Sequence, residues 1–254
     1  MTQKRIALIT GASSGIGEAT ARLLAETGKY QLILTGRNVD KLQELETELS
    51  KKTEVKTLVF DVRSAEEVQT SLDTLEGIWK NVDVLVNNAG NAHGLSAFHE
   101  GSLADWDAMI DGNVQGLLYV SRLLVPKMVE RKTGHIINLS SVAGKQTYAN
   151  GAVYCASKKA VEAISEGMRL DLTIHGIKVT NIAPGAVETA FSKVRFKGDE
   201  ERAATVYAGY QALQAEDIAD VIKYVLEVPD HVTIADLTIY PKAQSAPTTI
   251  HRAN

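Results

Sequence analysis

Short apolar runs alternate with longer amphipathic segments along almost the whole chain, and this alternation constrains the fold more than any single motif. The apolar runs, rich in β-branched and aliphatic residues, are predicted strands at 6–10, 31–35, 56–60, 82–86, 135–139, 178–182 and 237–240. Segments with helical spacing of apolar residues lie between them near 15–28, 39–51, 64–77, 102–130, 153–175 and 215–226. Nearly continuous apolar strands separated by helices predict a parallel sheet covered on both faces. The fold class is therefore α/β, a doubly wound sheet of about seven strands.

The composition is that of one globular domain without a nucleic-acid or membrane partner. The 254 residues contain no Pro/Gly/Ser-rich linker and no repeat, so we expect a single Rossmann-like domain over 1–254. Lysine and arginine number 27 against 31 acidic residues, a balance that gives no basic footprint for nucleic acid or for an anionic membrane. No apolar run reaches the length needed to span a bilayer.

Cysteine and histidine usage indicates a cytoplasmic protein without a metal. The N-terminus leads straight from Met1 into the first strand, and we expect no signal peptide. The single cysteine, Cys155, is compatible with a reducing compartment and is interpreted as a small buried residue, because no histidine stands ready to activate it. The six histidines show no ligand spacing such as HExxH, so we expect no catalytic metal.

A glycine-rich turn, TGASSGIG at 10–17, follows the first strand. Glycines there let the backbone turn sharply and approach a pyrophosphate, while free N–H groups at the start of the next helix face the anion. The spacing is GxxxGxG and not the commoner GxGxxG. We predict dinucleotide binding by Gly11, Ser13, Ser14, Gly15, Ile16 and Gly17. The alternative is a plain tight connection between a strand and a helix.

The end of the second strand indicates which dinucleotide is bound. Positions 35–38 read Thr-Gly-Arg-Asn and hold no acid. A fold that prefers NAD places a carboxylate here for the ribose 2′-hydroxyl, whereas a 2′-phosphate needs a cation, and Arg37 offers a planar fork that suits a phosphate. We therefore predict NADP(H), held by Arg37 with Asn38 beside it. Otherwise Arg37 is one solvated arginine at the start of a helix.

The next two strand ends carry further candidate cofactor contacts. Asp61 and Val62, after the third strand, are expected to hold the adenine edge. Asn88, Ala89 and Gly90, after the fourth strand, are small and polar enough to pack against a ribose. Both stretches also fit ordinary turn chemistry at the end of a strand.

Asn113 and Ser141 are candidate polar groups of a reaction centre. Asn113 lies inside the helical pattern of 102–130, where asparagine is mildly unfavourable, so its side chain is expected to have a task such as opening the helix to a water. A solvated helix face is the alternative. Ser141 follows the fifth strand at the edge where parallel sheets bind ligands. It lacks a GxSxG elbow and is predicted to donate a hydrogen bond to a carbonyl.

Tyr154 and Lys158 form a candidate acid/base pair in the helical segment 153–175. Residues four apart lie on one face of an α-helix. The pKa of a free phenol is about 10, and a cation beside it favours the phenolate. A tyrosine four residues before a lysine is also common on plain helix surfaces, so the pair depends on its context.

Together these motifs resemble the short-chain dehydrogenase/reductase family over nearly the whole chain. TGASSGIG at 10–17, NNAG at 87–90, Asn113, Ser141, YCASK at 154–158, and Pro184-Gly185 followed by Thr189 stand in the order and spacing of that family. The resemblance implies that Tyr154 is the general acid/base and that Lys158 lowers its pKa and binds the nicotinamide ribose. It also implies that Ser141 holds the substrate oxygen, and that Asn113 keeps a water linking Lys158 to solvent.

The family resemblance also implies a reaction and a cofactor loop. Hydride would pass between NADP(H) and the carbon of a carbonyl or its CH–OH form while Tyr154 moves the proton. Pro184, Gly185, Val187 and Thr189 are similar to the family's loop after the sixth strand, which meets the nicotinamide carboxamide.

The segment at about 188–213 resembles the family's substrate lid. Its stretch 191–198 is basic, with Lys193, Arg195 and Lys197 close together, and is similar to the lid of the subgroup acting on serine, 3-hydroxypropanoate and related short 3-hydroxy acids. A lid cation suits a small anion, and Arg195 is favoured because a guanidinium binds in a bidentate way. Tyr148 is expected to close another wall of the pocket. The alternative is a solvated charge run on a mobile loop.

The substrate stays open between two anions. Arg195 does not distinguish a carboxylate from a sulfonate, so a sulfoacetaldehyde reductase that forms isethionate with NADPH is the alternative to a 3-hydroxy acid dehydrogenase. A second alternative is a non-catalytic NADPH-binding sensor, since a fold does not fix function.

Assembly is implied by the resemblance alone. Relatives pair the helices at 102–130 and 153–175 into dimers and tetramers, and we expect a homo-oligomer. The tail at 241–254 resembles a C-terminus that reaches a neighbouring subunit's site, which would make Gln244 a substrate contact.

Overall fold

A computed structural model describes residues 4–253, and these form a parallel sheet with helices on both faces. The sheet strands are β1 (Arg5–Thr10), β2 (Tyr30–Gly36), β3 (Val55–Val59), β4 (Val84–Asn87), β5 (Gly134–Leu139), β6 (Ile177–Pro184) and β7 (Asp236–Ile239). Their spatial order is β3-β2-β1-β4-β5-β6-β7, and each pair is parallel. This confirms the predicted seven-stranded doubly wound fold. Residues 1–3 and 254, the outermost parts of the predicted domain and tail, lie outside the described residues.

The helices follow the predicted order, with boundaries set by local capping. They are α1 (Gly15–Glu26), α2 (Val39–Leu49), α3 (Ala65–Asp73), α4 (Leu103–Ile110), α5 (Gly116–Arg131), α6 (Val142–Lys145), α7 (Ala152–Leu172), α8 (Phe191–Arg195), α9 (Glu200–Thr205) and α10 (Ala215–Glu227). Ser64 and Ser102 accept N-cap hydrogen bonds at the starts of α3 and α4. Gln214 and Asp217 form a capping box at α10.

The predicted helix at 102–130 consists of three consecutive helical segments. A π-helical turn, Asp111–Gln115, separates α4 from α5. The short helices α6, α8 and α9 and a C-terminal hairpin of β8 (Gln244–Ala246) and β9 (Thr249–Ile250) were not predicted. Such short elements carry little periodicity of their own and depend on tertiary contacts.

Two apolar cores sandwich the sheet. On one face, Leu24, Leu42 and Ile222 represent the packing of α1, α2 and α10 against the strands. On the other face, Val68, Leu124 and Met128 lie among the residues that pack α3 and α5 against them. Both cores bury side chains of the same central strands, which explains why these strands are almost continuously apolar. Among residues 4–253, no helix has both the length and the apolar character needed to cross a bilayer.

The strand order reverses between β1 and β4, and this position determines where a ligand can enter. In open parallel sheets a crevice forms at the carboxyl ends of the strands on either side of such a switch point. The glycine-rich turn after β1 and the NNAG segment after β4 therefore meet there, although their nearest residues, at positions 17 and 87, are 70 positions apart along the chain.

Candidate active site

A cavity of about 320 Å³ runs along the carboxyl ends of the strands. It is lined by most of the residues predicted to bind the cofactor: Gly11, Ser13, Ser14, Gly15, Ile16, Arg37, Asp61, Val62, Asn88, Ala89, Gly90, Tyr154, Lys158, Pro184, Gly185, Val187 and Thr189. Ser141 lines it as well. Residues from six strand ends thus meet in one elongated site, which is the shape that an extended ligand requires.

The glycine-rich turn forms the floor of this cavity. Gly11 and Gly15 have left-handed backbone angles, φ +65° and +54°, which glycine adopts without steric cost. Gly17 does not line the cavity. A β-carbon on Gly17 would lie 2.4 Å from the carbonyl oxygen of Gly11 and 2.5 Å from Nδ2 of Asn88. Gly17 is therefore needed for close packing of α1 under the turn, which leaves the start of the helix facing the cavity.

Two arginines surround one carboxylate at the far end of the cavity. Arg63 donates to Oδ2 of Asp61 at 2.6 and 2.9 Å and to its Oδ1 at 3.1 Å, and Arg37 lies 3.6 Å from Oδ2. Burial acts to raise the pKa of Asp61, but the hydrogen bonds from Arg63 outweigh it and the pKa lies below its ordinary value. Glu67, which accepts from the N–H of Asp61 at 2.9 Å, and Asp111 also lie close enough to act on Arg63. The two guanidinium groups nevertheless offer planar donors that suit a phosphate.

The side chain of Asn38, next to Arg37 in the sequence, is used within the chain. Its Oδ1 accepts a hydrogen bond of 3.0 Å from the backbone N–H of Lys41, and it serves as the N-cap of α2. The side chain is thus used to begin a helix, and the predicted cofactor contact of Asn38 remains a prediction.

Tyr154, Ser141 and Lys158 meet at the opposite end of the cavity. Tyr154 and Lys158 lie one turn apart on α7 and are 8% and 6% exposed. Ser141 is the N-cap of α6, and its Oγ accepts from the N–H of Ala143 at 3.1 Å. A phenol, a hydroxyl and an ammonium thus share one poorly solvated corner, as the sequence predicted.

The electrostatics of that corner differ from the prediction. Lys158 donates to the carbonyl oxygen of Leu139 at 2.9 Å, and burial lowers its pKa to about 8. Burial also raises the pKa of Tyr154, while Ser141 and Arg195 oppose this rise and Lys158 is not among its main causes. The expected lowering of the Tyr154 pKa by Lys158 is therefore not found among these side chains, because desolvation dominates the pKa of both groups.

The π-helical turn places Asn113 behind Lys158. Its Nδ2 donates to the carbonyl oxygen of Asn91 at 2.8 Å and to Oγ of Ser157 at 2.9 Å, and its Oδ1 accepts from the N–H of Asn91 at 2.7 Å. The helix does widen at this asparagine, as predicted. Its predicted role in holding a water remains a prediction.

Gly90 lets Asn113 and Lys158 approach the cavity wall. A β-carbon there would lie 2.8 Å from Oδ1 of Asn113 and 3.3 Å from Nζ of Lys158. No larger residue fits without moving one of these groups, so Gly90 preserves the arrangement around the ammonium.

Arg195 lies beside Tyr154 in a small adjoining cavity of about 30 Å³. Its guanidinium carbon is 5.5 Å from the centre of the Tyr154 ring. Its Nη2 donates to the hydroxyl of Tyr148 at 3.1 Å, and its Nε donates to the carbonyl oxygen of Gly94 at 3.3 Å. The cation predicted on the lid and Tyr148 are thus both close to the reaction corner.

Gln244 does not reach either cavity. Its Oε1 accepts from the N–H of Ala186 at 2.8 Å, and its Nε2 donates to the carbonyl oxygens of Ala246 and Pro247. Within the chain, Gln244 fixes the loop after β6 to the C-terminal hairpin. Its predicted substrate contact, which the resemblance places in a neighbouring subunit's site, remains a prediction.

Some lining residues were not predicted from the sequence. Arg63, Asn91 and Val194 line the main cavity, as does Phe191, whose ring lies 5.9 Å from that of Tyr154. The sequence did contain a signal for Arg63, since it is a cation only two residues after Asp61, which was predicted to bind the cofactor. No sequence signal indicated that Phe191 and Val194 would line the cavity, because their position depends on how the segment after β6 folds over the sheet.

Comparison with known proteins gives a consistent result. Residues 5–200 match a family model described as short chain dehydrogenase. The chain is 44% identical over 250 residues to the NADP-dependent 3-hydroxy acid dehydrogenase YdfG of Salmonella typhi, covering 98% of this chain and 100% of that protein. It is 43% identical over 241 residues to sulfoacetaldehyde reductase 2 of Chromohalobacter salexigens, covering 94% and 95%.

A solved structure is similar to this chain to the same degree as these two relatives. The closed form of serine dehydrogenase complexed with NADP+ superposes with a TM-score of 0.91 at 42% sequence identity, covering 97% of this chain and 99% of that one. The similarity therefore extends over fold, length and sequence together.

Proposed function

The chain belongs to the short-chain dehydrogenase family, and from this premise we propose that it is an NADP(H)-dependent oxidoreductase for a small anionic hydroxy/carbonyl pair. The observation that carries the proposal is one cavity with the guanidinium groups of Arg37 and Arg63 at one end and a phenol, hydroxyl and ammonium at the other end. Relatives that are named for NADP dependence support the same cofactor.

The residues present fit a dinucleotide with a 2′-phosphate. The turn from Gly11 to Ile16 and the start of α1 would hold the pyrophosphate, and the two arginines would hold the 2′-phosphate. Lys158 would bind the nicotinamide ribose, and the loop from Pro184 to Thr189 would meet the carboxamide. When bound, the nicotinamide supplies or accepts the hydride.

Tyr154 is the proposed proton carrier. Because burial raises its pKa, the phenol is protonated at neutral pH and is ready to donate to a carbonyl oxygen. Ser141 would hold that oxygen, with its hydroxyl in the same corner of the site. Lys158 and Asn113 would keep a positive, hydrogen-bonded wall behind the phenol.

The substrate is proposed to be a short 3-hydroxy acid such as serine or 3-hydroxypropanoate. Arg195 lies so close to the Tyr154 ring that an anion meeting both groups must be only a few atoms long. The relative named 3-hydroxy acid dehydrogenase supports a carboxylate. The relative named sulfoacetaldehyde reductase keeps a sulfonate as the second candidate.

A substrate screen tests the anion. NADP+ reduction is measured with serine, 3-hydroxypropanoate, 3-hydroxyisobutyrate and isethionate, for the wild type, Arg195→Ala and Lys193→Ala. We expect Arg195→Ala to raise the KM of the active anion about 100-fold, the loss of a charged hydrogen-bonded contact. Lys193, which pairs with Glu200 on the exposed face of the same segment, is the matched control. An unchanged KM in Arg195→Ala would exclude its role as a clamp.

The proton carrier is tested with Tyr154→Phe. Turnover is expected to fall by at least about 100-fold while NADPH binding persists, because only the hydroxyl is removed. Binding of NADPH by the wild type without turnover of any compound in the panel would favour the non-catalytic sensor.

Cofactor choice is tested with Arg37→Ala and, as a control, Lys41→Ala, which removes the same charge from the exposed first turn of α2. The KM for NADPH is expected to rise at least about tenfold in Arg37→Ala, with that for NADH unchanged. Equal effects of the two substitutions would indicate only long-range electrostatics.

We also propose a cytoplasmic homo-oligomer. The single buried cysteine suits a reducing compartment. Exposed apolar side chains on α5 and α7, such as Leu118 and Leu170, support pairing through those helices.

A further inference from the structure

The segment 188–213, here called the lid, closes on itself at its base. Val187 pairs with Leu213 as an isolated parallel bridge. The N–H of Leu213 donates to the carbonyl oxygen of Ala186 at 3.0 Å, and the carbonyl oxygen of Leu213 accepts from the N–H of Glu188 at 2.7 Å. Both ends of the lid are thus tied directly to the loop after β6, which lines the cavity.

Helix α8 is the part of the lid that faces the reaction corner. It carries Phe191 and Val194, which line the main cavity, and Arg195, which lies beside Tyr154. A helix of five residues is too short to hold its position by backbone bonds alone. Its orientation depends on contacts with other parts of the chain: the N–H of Gly94 donates to the carbonyl oxygen of Arg195 at 2.9 Å, and side chains supply further contacts.

One hydroxyl connects α8 to the cofactor loop. Tyr207 OH lies 2.9 Å from the carbonyl oxygen of Val187 and 2.7 Å from Oγ of Ser192. A carbonyl oxygen only accepts, so the phenol donates to Val187 and the Ser192 hydroxyl donates to the phenol. Ser192 is 5% exposed, so water does not readily replace this bond.

We propose that Tyr207 is a positioning residue that couples the cofactor loop to the helix carrying Arg195. A cofactor that orders Val187 and its neighbours would, through this hydroxyl, also order α8 and its guanidinium. Substrate affinity would then depend on occupancy of the cofactor site, although Tyr207 touches neither ligand. The inference rests on the proposed NADP(H) function and adds a residue to it.

Tyr207→Phe removes the connecting hydroxyl and keeps the ring. Tyr210→Phe is the matched control, because the Tyr210 hydroxyl is buried three residues away and has no hydrogen-bond partner among residues 4–253. Ser192→Ala removes the same bond from the helix side without changing an aromatic ring, and it serves if Tyr207→Phe folds poorly.

Hydrogen exchange of the full chain with and without NADP+ is the main measurement. In the wild type and Tyr210→Phe, NADP+ is expected to slow exchange both in the turn at 11–17 and in the lid at 191–196. In Tyr207→Phe and Ser192→Ala, the turn should keep its protection, and protection of the lid should fall about tenfold, the effect of one lost hydrogen bond. The double variant should lose no more than Tyr207→Phe alone, since both changes remove one shared bond.

A kinetic readout separates positioning from plain structural damage. In Tyr207→Phe the KM of the active anion should rise about tenfold, while kcat and the KM for NADPH change by less than about threefold. Equal lid protection in Tyr207→Phe and the wild type, or a wild-type lid that NADP+ does not protect, would overturn the proposal. Absence of protection at 11–17 in the wild type would instead contradict the cofactor assignment itself.

Discussion

At the residue scale, burial of the Lys158 ammonium opposes folding, while the proposed reaction needs this group. Its ammonium is buried and its one hydrogen bond in the described structure is to the carbonyl oxygen of Leu139. Burial lowers its pKa to about 8 from an ordinary value of 10.5, which corresponds to a folding penalty of about 3 kcal/mol at about 1.36 kcal/mol per pKa unit. A charge that weakens the fold is retained at the point where the proposed chemistry needs it.

Lys158→Met is expected to stabilise the ligand-free protein while abolishing turnover. The unfolded chain binds more protons than the folded one between pH 8 and 10.5, so the wild type gains stability as pH rises through that window. The advantage of the variant in free energy of unfolding should be largest below pH 8 and shrink towards pH 10.5. Denaturant unfolding at several pH values measures it, with the exposed Lys159→Met as a control. A pH-independent difference would show that desolvation is not the cause.

His135 is a buried histidine whose titration makes the free energy of unfolding depend on pH in acid. Its Nε2 lies 2.9 Å from Oγ1 of Thr180, whose hydroxyl donates to the carbonyl oxygen of Ile234 at 2.7 Å. Nε2 therefore carries the proton, and the ring is neutral. Burial lowers the pKa of His135 to about 3.

The unfolded chain therefore takes up a proton at this site between pH 6.5 and 3, and the folded chain does not, so stability is lost as pH falls through that window. His135→Gln is expected to unfold less steeply with acid, recovering up to about 5 kcal/mol of the pH-dependent loss. Acid titrations followed by circular dichroism test this, with the exposed His99→Gln as the control. Coincident acid midpoints for His135→Gln and the wild type would refute it.

At the element scale, the C-terminal tail holds the outer side of the lid. Arg252 donates to the carbonyl oxygens of Thr205, Val206 and Ala208, at the end of α9, and stacks on the ring of Tyr210. A cation is favourable at a helix C-terminus, where carbonyl groups have no partner within the helix. In this chain the tail therefore binds its own lid.

Arg252→Ala is expected to loosen the lid without disturbing the sheet. Exchange of amides at 200–209 should become at least about tenfold faster, because several hydrogen bonds to one charged group are lost together. Lys242→Ala, an exposed residue of the same tail, is the control. Unchanged exchange at 200–209 would mean that the contacts between Val187 and Leu213, without Arg252, determine the stability of the lid.

At the scale of the whole molecule, apolar side chains remain exposed on the helices proposed to pair. Leu170, near the end of α7, and Ile174, in the 3-10 turn that follows it, are 74% and 84% exposed. Exposed apolar patches of this kind on helices are typical of interaction surfaces.

The wild type is expected to sediment as a dimer or tetramer, and Leu170→Glu with Ile174→Glu to dissociate it, because two charges would be buried without partners. Ile78→Glu, at an exposed apolar residue outside both helices, should leave assembly unchanged. Sedimentation velocity decides between them. A wild type that sediments as a monomer would contradict the homo-oligomer.

The sequence determined the fold class, the family and the positions at strand ends that line the cavity. The fold class and the strand-end positions follow from local periodicity and from the rule that parallel strands bring their carboxyl ends to one edge, so residues such as Gly11, Arg37 and Ser141 could be placed before any contact was known. The family, and with it the role expected of Tyr154 on α7, came from the resemblance of the motifs in their order and spacing. Only the tertiary structure decided that Asn38 begins a helix, that Gln244 fixes a loop, that Tyr207 joins two parts of the lid, and that desolvation governs Tyr154 and Lys158. Hydrogen-bond partners and burial depend on residues distant along the chain, and the local pattern contains no information about them.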